Sequence, residues 1–158
     1  MIKIIFLDID GVLNDDTNES WNDVGDDYYP HSKTLVSNLN EIIRQTNAKL
    51  VLSSTWRLGL DLEQISHLMK RIGIIGEFIG YTDSLSSPYA VRGNEILKWI
   101  LDNENIVGPR YEFKNYLILD DDCDMLYFQR NNFIHLNGQK GLTKEYIQQS
   151  IDILNQHK

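Results

Sequence analysis

The chain has 158 residues and a formal net charge of −8, and 42% of its residues are hydrophobic. This length supplies one well-formed core and is short for two, so we expect a single domain over residues 1–158. Its apolar runs are only strand-sized, and its single cysteine cannot form an internal disulfide. We therefore expect a cytoplasmic protein with no membrane contact and no obligate protein partner. The negative charge also disfavours non-specific nucleic-acid binding.

Strand-sized apolar runs alternate with segments of helical periodicity along the chain. The predicted strands cover residues 3–9, 48–53, 77–82, 115–121 and 132–137, and the predicted helices cover residues 32–47, 60–73, 92–105 and 142–156. Such alternation is typical of parallel βαβ units with right-handed crossovers. The sequence therefore predicts a three-layer, doubly wound (Rossmann-like) α/β fold with a parallel sheet of about five strands.

Residues 14–31 interrupt this alternation, since they are acidic and polar and show neither periodicity. The segment is long enough for a small flap after the first strand and too short for a large cap domain. Its aromatic residues Trp21, Tyr28 and Tyr29 are expected either to line the mouth of a substrate site or to pack inside the flap.

Polar side chains end three of the predicted strands. Asp8 and Asp10 follow the first strand, Ser53 and Ser54 follow the second, and aspartates occupy residues 120–122 after the fourth. In a doubly wound sheet the carboxyl ends of the strands face the ligand crevice, so these groups should converge there. Several carboxylates in one crevice repel one another unless a cation is present, and ligands that are all oxygen favour Mg²⁺.

These segments resemble the motifs of a known enzyme superfamily. "LDIDGVLN" resembles the DxDGxxx opening motif of the haloacid dehalogenase-like (HAD) phosphohydrolases, "LVLSST" their second motif, and "YLILDDD" their fourth. Together with "STWR", "RGNEILKWI", "CDM" and the late "GLT", most of the chain is similar to the HAD domain named for Swiss-army-knife RNA repair proteins. The resemblance implies a HAD-like fold and a Mg²⁺-dependent phosphatase.

The family mechanism assigns roles to the first two aspartates. Asp8 would attack phosphorus and form an aspartyl-phosphate. Asp10 would protonate the leaving oxygen and later activate the hydrolytic water, while its backbone carbonyl would bind the metal. The alternative is that both residues are solvated acids at the end of a strand, and a carboxylate pair followed by Gly11 directly after a core strand disfavours it.

The resemblance also implies that metal ligands lie in the acidic run after the fourth strand. Asp121 is expected to bind the metal directly, and Asp120 to bind it directly or through a water molecule. The roles of Asp122 and Asp124 stay open, although Asp124 is a candidate for orienting a water. On spacing alone, the run could be an acidic turn.

Hydroxyl and guanidinium groups near the second strand are candidates for phosphate binding. Ser53 fits the expected position best, with Ser54 as the alternative, and either hydroxyl could instead cap the following helix. Arg57 is expected to contact phosphate, its alternative being a surface charge. Trp56 is expected to pack rather than to stack on a base.

The third family motif is a cation that stabilises the transferring phosphoryl group, and it is usually a lysine. Arg92 is our candidate because it opens the predicted helix before the fourth strand, where its side chain would reach the crevice. Lys98 lies mid-helix, and Lys114 lies at the far end of the fourth strand. Arginine at this position departs from the usual family pattern.

The expected substrate is a terminal phosphate on a nucleotide or a nucleic acid, since members without a cap tend to act on polymer ends or proteins. Two alternatives remain, namely a phosphatase for another small phosphomonoester and a non-catalytic phosphate-binding or protein-binding module of the same fold. The module is disfavoured because a site without catalysis has no reason to retain costly buried charges.

Overall fold

The structure is a computed structural model that describes residues 2–17, 29–110 and 112–156. It contains five parallel strands, namely β1 (Ile4–Leu7), β2 (Lys49–Leu52), β3 (Phe78–Tyr81), β4 (Tyr116–Asp120) and β5 (Phe133–His135). They form a single sheet in the order β3-β2-β1-β4-β5. The predicted doubly wound α/β fold is therefore confirmed.

Helices cover both faces of this sheet. They are α1 (Lys33–Thr46), α2 (Leu62–Arg71), α3 (Arg92–Asp102), the short α4 (Glu104–Val107) and α5 (Tyr146–Asn155). Ile5 and Leu7 of β1 face the core formed with α1, α2 and α5, whereas Ile4 and Phe6 face the core formed with α3 and α4. All four side chains are fully buried. A strand covered on both faces needs apolar residues at every position, which explains the unbroken run in β1.

The order of the strands places a switch point at the centre of the sheet. From β1 the chain adds β2 and β3 on one side, then crosses over to add β4 and β5 on the other. The winding therefore reverses between β1 and β4, which pair directly in register from Ile4 with Tyr116 to Leu7 with Leu119. In such a sheet the ligand crevice lies outside the carboxyl ends of those two strands.

The strands and helices are shorter in the structure than the predicted segments. The helix predicted over residues 92–105 ends at Asp102, and α4 begins after Asn103. Most of the predicted flap, including Trp21 and Tyr28, lies outside the described residues. Within the described ranges, no helix is both long and apolar enough to cross a membrane.

Candidate functional site

Three carboxylates meet at the carboxyl ends of β1 and β4. Asp8, Asp120 and Asp121 each offer an oxygen atom, and these atoms lie within 4.8 Å of one another. The pairing of Leu7 with Leu119 brings Asp8 beside the end of β4, and the backbone N–H of Asp8 donates to the Leu119 carbonyl at 3.0 Å. The sheet itself therefore holds two of the three carboxylates in place.

Burial makes this cluster electrostatically unfavourable without a cation. Burial and the charge of Asp120 raise the pKa of Asp8 to about 7. Burial also raises the pKa of Asp120 to about 6, although the positive charge of Arg92 opposes the shift. Burial, with the charge of Asp122, raises the pKa of Asp121 as well. A divalent cation would relieve these costs, and a donor set made only of carboxylate oxygens fits a hard ion.

Two glycines enclose the carboxylate of Asp121. A Cβ atom at Gly138 would lie 2.5 Å from Oδ2 of Asp121, and a Cβ atom at Gly11 would lie closer still. Gly11 also has a φ of +69°, a backbone conformation that favours glycine. Both glycines therefore allow their segments to approach the Asp121 carboxylate closely in its present position.

Arg92 reaches the acidic cluster, while its role as the third-motif cation stays a prediction. It is the first residue of α3, and its Nη2 lies 3.9 Å from Oδ1 of Asp8. Its Nε lies 3.0 Å from Oδ2 of Asp120, an ion pair without hydrogen-bond geometry. The backbone N–H of Arg92 donates to Oδ2 of Asp124 at 2.9 Å, so Asp124 anchors the start of α3.

The two lysines that were alternatives to Arg92 lie elsewhere. The ammonium of Lys98 is bound by Asp83 and Asp102 on an open surface. Lys114 precedes β4, so it lies at the opposite end of the sheet from the acidic cluster. Among the three candidate cations, the structure brings only Arg92 to the carboxylates.

The two serines after β2 are buried at the same end of the sheet. Ser53 is 1% exposed, and its hydroxyl has no hydrogen-bond partner among the described residues. Such a buried hydroxyl is costly unless a ligand satisfies it, which supports Ser53 as the residue that binds phosphate. The Ser54 hydroxyl accepts from the backbone N–H of Trp56 at 3.4 Å and hydrogen-bonds to Asp8, which favours the ionised form of Asp8.

Arg57 is not a surface charge, because only 4% of its side chain is exposed. Its Nε donates to the Thr82 carbonyl and its Nη1 to the Ser54 carbonyl, both at 2.6 Å. Its Nη2 donates to the Asp83 carbonyl at 3.1 Å and to Oε2 of Glu95 at 3.0 Å. Protein oxygens therefore engage all three nitrogens of the guanidinium. This geometry favours a structural role, while phosphate binding by Arg57 stays a prediction.

Asp10 lies apart from the three clustered carboxylates, and two side chains hold it. Nδ2 of Asn14 donates to Oδ1 of Asp10 at 2.8 Å. Nε1 of Trp56 lies 3.1 Å from Oδ1 and 3.2 Å from Oδ2 of the same carboxylate. The Trp56 ring also packs against Tyr29, with 5.1 Å between ring centroids, which agrees with the expected packing role.

Sequence reasoning did not identify three of the polar contacts at this site. It assigned no role to Asn14, Glu95 or the indole N–H of Trp56. Asn14 stands inside the quoted segment "LDIDGVLN", so its place in the motif was the available signal. Glu95 lies within a helical pattern where an acid is expected to be solvated, and no spacing rule predicts its buried pairing with Arg57.

A small crevice opens beside Arg92. Its volume is about 170 Å³, and its walls include Arg57, Glu95, Asp122 and Asp124. Pockets that enclose a whole small-molecule ligand usually measure about 300–1,000 Å³. As formed by the described residues, this crevice is therefore too small to enclose a whole ligand of that kind.

Comparison with known proteins gives one match. A family model described as the HAD domain in Swiss Army Knife RNA repair proteins matches residues 4–147. The matched range contains every strand of the sheet and all the site residues described above. No curated protein and no solved structure gives a significant match to the chain.

Proposed function

Since the chain belongs to the family of HAD domains in Swiss Army Knife RNA repair proteins, we propose that it is a Mg²⁺-dependent phosphatase that forms an aspartyl-phosphate. The observation that carries this proposal is the convergence of Asp8, Asp120 and Asp121 within 4.8 Å of one another. Arg92 approaches the same carboxylates, with its Nε 3.0 Å from Asp120. The site thus combines a nucleophile, the ligands for a cation, and a second positive charge.

In the proposed reaction an oxygen of Asp8 attacks phosphorus, and the bond from phosphorus to the leaving oxygen breaks. Asp10 gives its proton to the leaving oxygen, so that a neutral alcohol departs. A water molecule then attacks phosphorus and loses a proton to Asp10, and the bond from phosphorus to Asp8 breaks. Inorganic phosphate is released, and both aspartates return to their starting states.

The donor set fits Mg²⁺. Asp8 and Asp121 would hold the ion, with Asp120 as a direct or water-mediated ligand and the backbone carbonyl of Asp10 as a further one. When bound, the ion would neutralise charge on the phosphoryl oxygens and keep Asp8 ionised. Arg92 and the hydroxyl of Ser53 would contact the other phosphoryl oxygens.

We propose a terminal phosphate on a nucleic acid or a nucleotide as the substrate class. Two observations support it. The matching family is named for RNA repair proteins. In addition, the crevice of about 170 Å³ beside Arg92 is too small to enclose a whole nucleotide, so the rest of a polymer end can lie outside it.

The Asp8→Asn variant tests the mechanism. The amide is nearly isosteric and removes one charge from a repulsive cluster, so the variant should fold. It should show no turnover, because an amide cannot form the acyl phosphate. Asp152→Asn is the matched control, since Asp152 is exposed on α5 and should retain activity. Near-normal phosphatase activity of Asp8→Asn would contradict the mechanism.

A substrate panel tests the substrate class. With Mg²⁺ present and one stated salt concentration, kcat/KM is measured for a mononucleotide, for oligonucleotides phosphorylated at the 5′ or the 3′ end, and for a sugar phosphate. We expect an oligonucleotide end to be hydrolysed at least as efficiently as the mononucleotide. A preference of about a hundredfold, or about 2.7 kcal/mol, for the sugar phosphate, with no activity on oligonucleotides, would refute the substrate class and leave the chemistry intact.

A further inference from the structure

The side chain of Asp10 is held by two neutral N–H donors that no motif assigned. Nδ2 of Asn14 donates to its Oδ1 at 2.8 Å, and Nε1 of Trp56 lies 3.1 Å from Oδ1 and 3.2 Å from Oδ2. We propose that Asn14 and Trp56 are positioning residues that orient Asp10 for proton transfer to the leaving group. This inference rests on the proposed function, in which Asp10 is the general acid.

The orientation of the Asn14 amide is fixed by its other hydrogen bonds. Its Oδ1 accepts from the backbone N–H of Gly11 at 2.9 Å, and its Nδ2 also donates to the Pro30 carbonyl at 3.1 Å. A flipped amide would place an NH₂ group against the N–H of Gly11 and an oxygen against the Pro30 carbonyl. The donor of Asn14 must therefore face Asp10. Asn14 is also buried, with 6% of its surface exposed.

The indole of Trp56 reaches Asp10 from a neighbouring strand end. Trp56 lies in the 3₁₀ turn Thr55–Arg57 that follows β2, whereas Asp10 follows β1, and these two strands pair directly. The ring packs against Tyr29 at 5.1 Å between centroids. The buried ion pair of Arg57 with Glu95 anchors the same turn. The position of the indole N–H is thus set by packing on one side and by a buried arginine on the other.

These donors do not engage the two oxygens of Asp10 equally. Oδ1 faces the N–H groups of both Asn14 and Trp56, whereas Oδ2 faces the indole N–H of Trp56, so Oδ2 has the greater capacity to carry the proton. When Oδ2 gives its proton to the leaving oxygen, the bond from phosphorus to that oxygen breaks, and a negative charge is left on the carboxylate. The two N–H groups then stabilise that charge, and they need no reorientation to do so.

The test compares two phosphate esters that differ in their need for a general acid. The leaving group of p-nitrophenyl phosphate departs without protonation, whereas the alkoxide of a nucleoside 5′-phosphate requires a proton. The parameter is kcat/KM, because it includes only the steps up to departure of the leaving group. We expect Trp56→Phe to lower kcat/KM for the nucleoside phosphate about tenfold to a hundredfold, and for p-nitrophenyl phosphate less than about threefold.

Phenylalanine keeps the packing against Tyr29 and removes only the N–H, so Trp56→Phe should fold. Asn14→Ala removes the other donor and should give the same selective loss, which keeps the proposal testable if one variant is unstable. Trp99→Phe is the matched control, because Trp99 is buried in the core formed with α3 and α4 on the other face of the sheet. It should change the two kcat/KM values equally.

A double-variant cycle separates positioning from a general structural effect. In an Asp10→Asn background the general acid is absent, so Trp56→Phe should lower kcat/KM no further. Equal losses on both esters, or a full additional loss in the Asp10→Asn background, would overturn the positioning role while phosphatase activity stands. Failure of the unaltered protein to hydrolyse either ester would instead overturn the proposed function, and the positioning role with it.

Discussion

The guanidinium of Arg92 is paired with a carboxylate of the acidic cluster, since its Nε lies 3.0 Å from Oδ2 of Asp120. Its Nη2 is 3.9 Å from Oδ1 of Asp8, and only 12% of the side chain is exposed. The cation thus partly neutralises the two buried carboxylates from one side. Its Nη1 lies 3.9 Å from Oε2 of Glu95, and the planar guanidinium suits the geometry of phosphate.

Replacing Arg92 should impair the chemical step more than the fold. We expect Arg92→Ala to lower kcat about a hundredfold to a thousandfold, because it removes a preorganised charge that stabilises the transferring phosphoryl group. Lys98→Ala is the control, since the half-exposed Lys98 pairs with Asp83 and Asp102 away from the acidic cluster. Steady-state kinetics with a saturating phosphate ester measures both. A large loss of kcat in Lys98→Ala together with a small loss in Arg92→Ala would show that the third-motif cation is wrongly assigned.

Removal of the metal should abolish activity and lower thermal stability. Added Mg²⁺ should raise Tm, because it binds the folded protein and relieves repulsion among Asp8, Asp120 and Asp121. Asp121→Ala should largely remove this rise. Asp124→Ala should retain it, because the Asp124 carboxylate accepts the backbone N–H of Arg92 at 2.9 Å and lies outside the three-carboxylate cluster.

Thermal unfolding with and without excess chelator measures both variants. If the unaltered protein is as active in excess chelator as it is with Mg²⁺, that result would contradict a metal-dependent mechanism. An undiminished Mg²⁺-dependent rise in Tm for Asp121→Ala would contradict the assigned ligand.

The raised pKa values predict how stability depends on pH when no metal is bound. The pKa of Asp8 is raised from 3.8 to about 7, and that of Asp120 to about 6. The folded protein therefore keeps protons on these groups that the unfolded chain has already released. This contribution to stability is fully present below pH 3.8 and is lost as the pH rises through about 6 to about 7.

We therefore expect the Tm of the metal-free protein to fall across this pH range relative to that of Asp8→Asn, which lacks one of the two titrating groups. Differential scanning calorimetry in chelator measures the difference between the two proteins. Saturating Mg²⁺ should reduce the difference, because the ion favours the ionised carboxylates. A Tm difference that does not change with pH would contradict the raised pKa of Asp8.

Breaking the ion pair between Arg57 and Glu95 should destabilise the fold. Both side chains are buried, and Nη2 lies 3.0 Å from Oε2. Arg57→Ala removes the shortest ion pair of the buried Glu95 and leaves its carboxylate with the Leu85 N–H at 3.0 Å and with Arg92 at 3.9 Å, so we expect the free energy of unfolding to fall by about 3 kcal/mol. Arg44→Ala is the control, because the pair of Arg44 with Glu41 is exposed and should contribute less than about 1 kcal/mol.

Urea unfolding measures both losses of stability. If Arg57 instead binds substrate phosphate, Arg57→Ala should raise KM with little loss of stability. The two measurements together therefore distinguish a structural arginine from a phosphate-binding one.

The fold and the centre of the site could be predicted from the sequence because both follow from the alternation of strand-sized apolar runs with helical segments. Apolar runs predicted all five strands, and their alternation with helices predicted that the strands are parallel. Since parallel strands end at the same edge, the approach of Asp8 to the acids after β4 followed from the topology. The choice of Arg92 over Lys98 followed in the same way, because only Arg92 begins its helix at that edge.

The polar contacts around that centre could not be predicted from spacing. Whether Arg57 points into the crevice or into the protein depends on the backbone carbonyls of Thr82 and Asp83, which come from a different loop. Likewise, the bond of the Trp56 indole to Asp10 depends on a side-chain rotamer fixed by packing. Such contacts join residues far apart in the chain, and no local periodicity encodes them.

The two glycines that enclose Asp121 lie far apart in the chain, since Gly11 precedes α1 and Gly138 follows β5. During synthesis on the ribosome, the first wall of this enclosure emerges early and the second emerges only after every strand of the sheet. Asp121 therefore acquires the second wall of its enclosure late in synthesis, when only the residues after Gly138 remain to be added. A chain interrupted between Asp121 and Gly138 would carry all three carboxylates and lack that second wall.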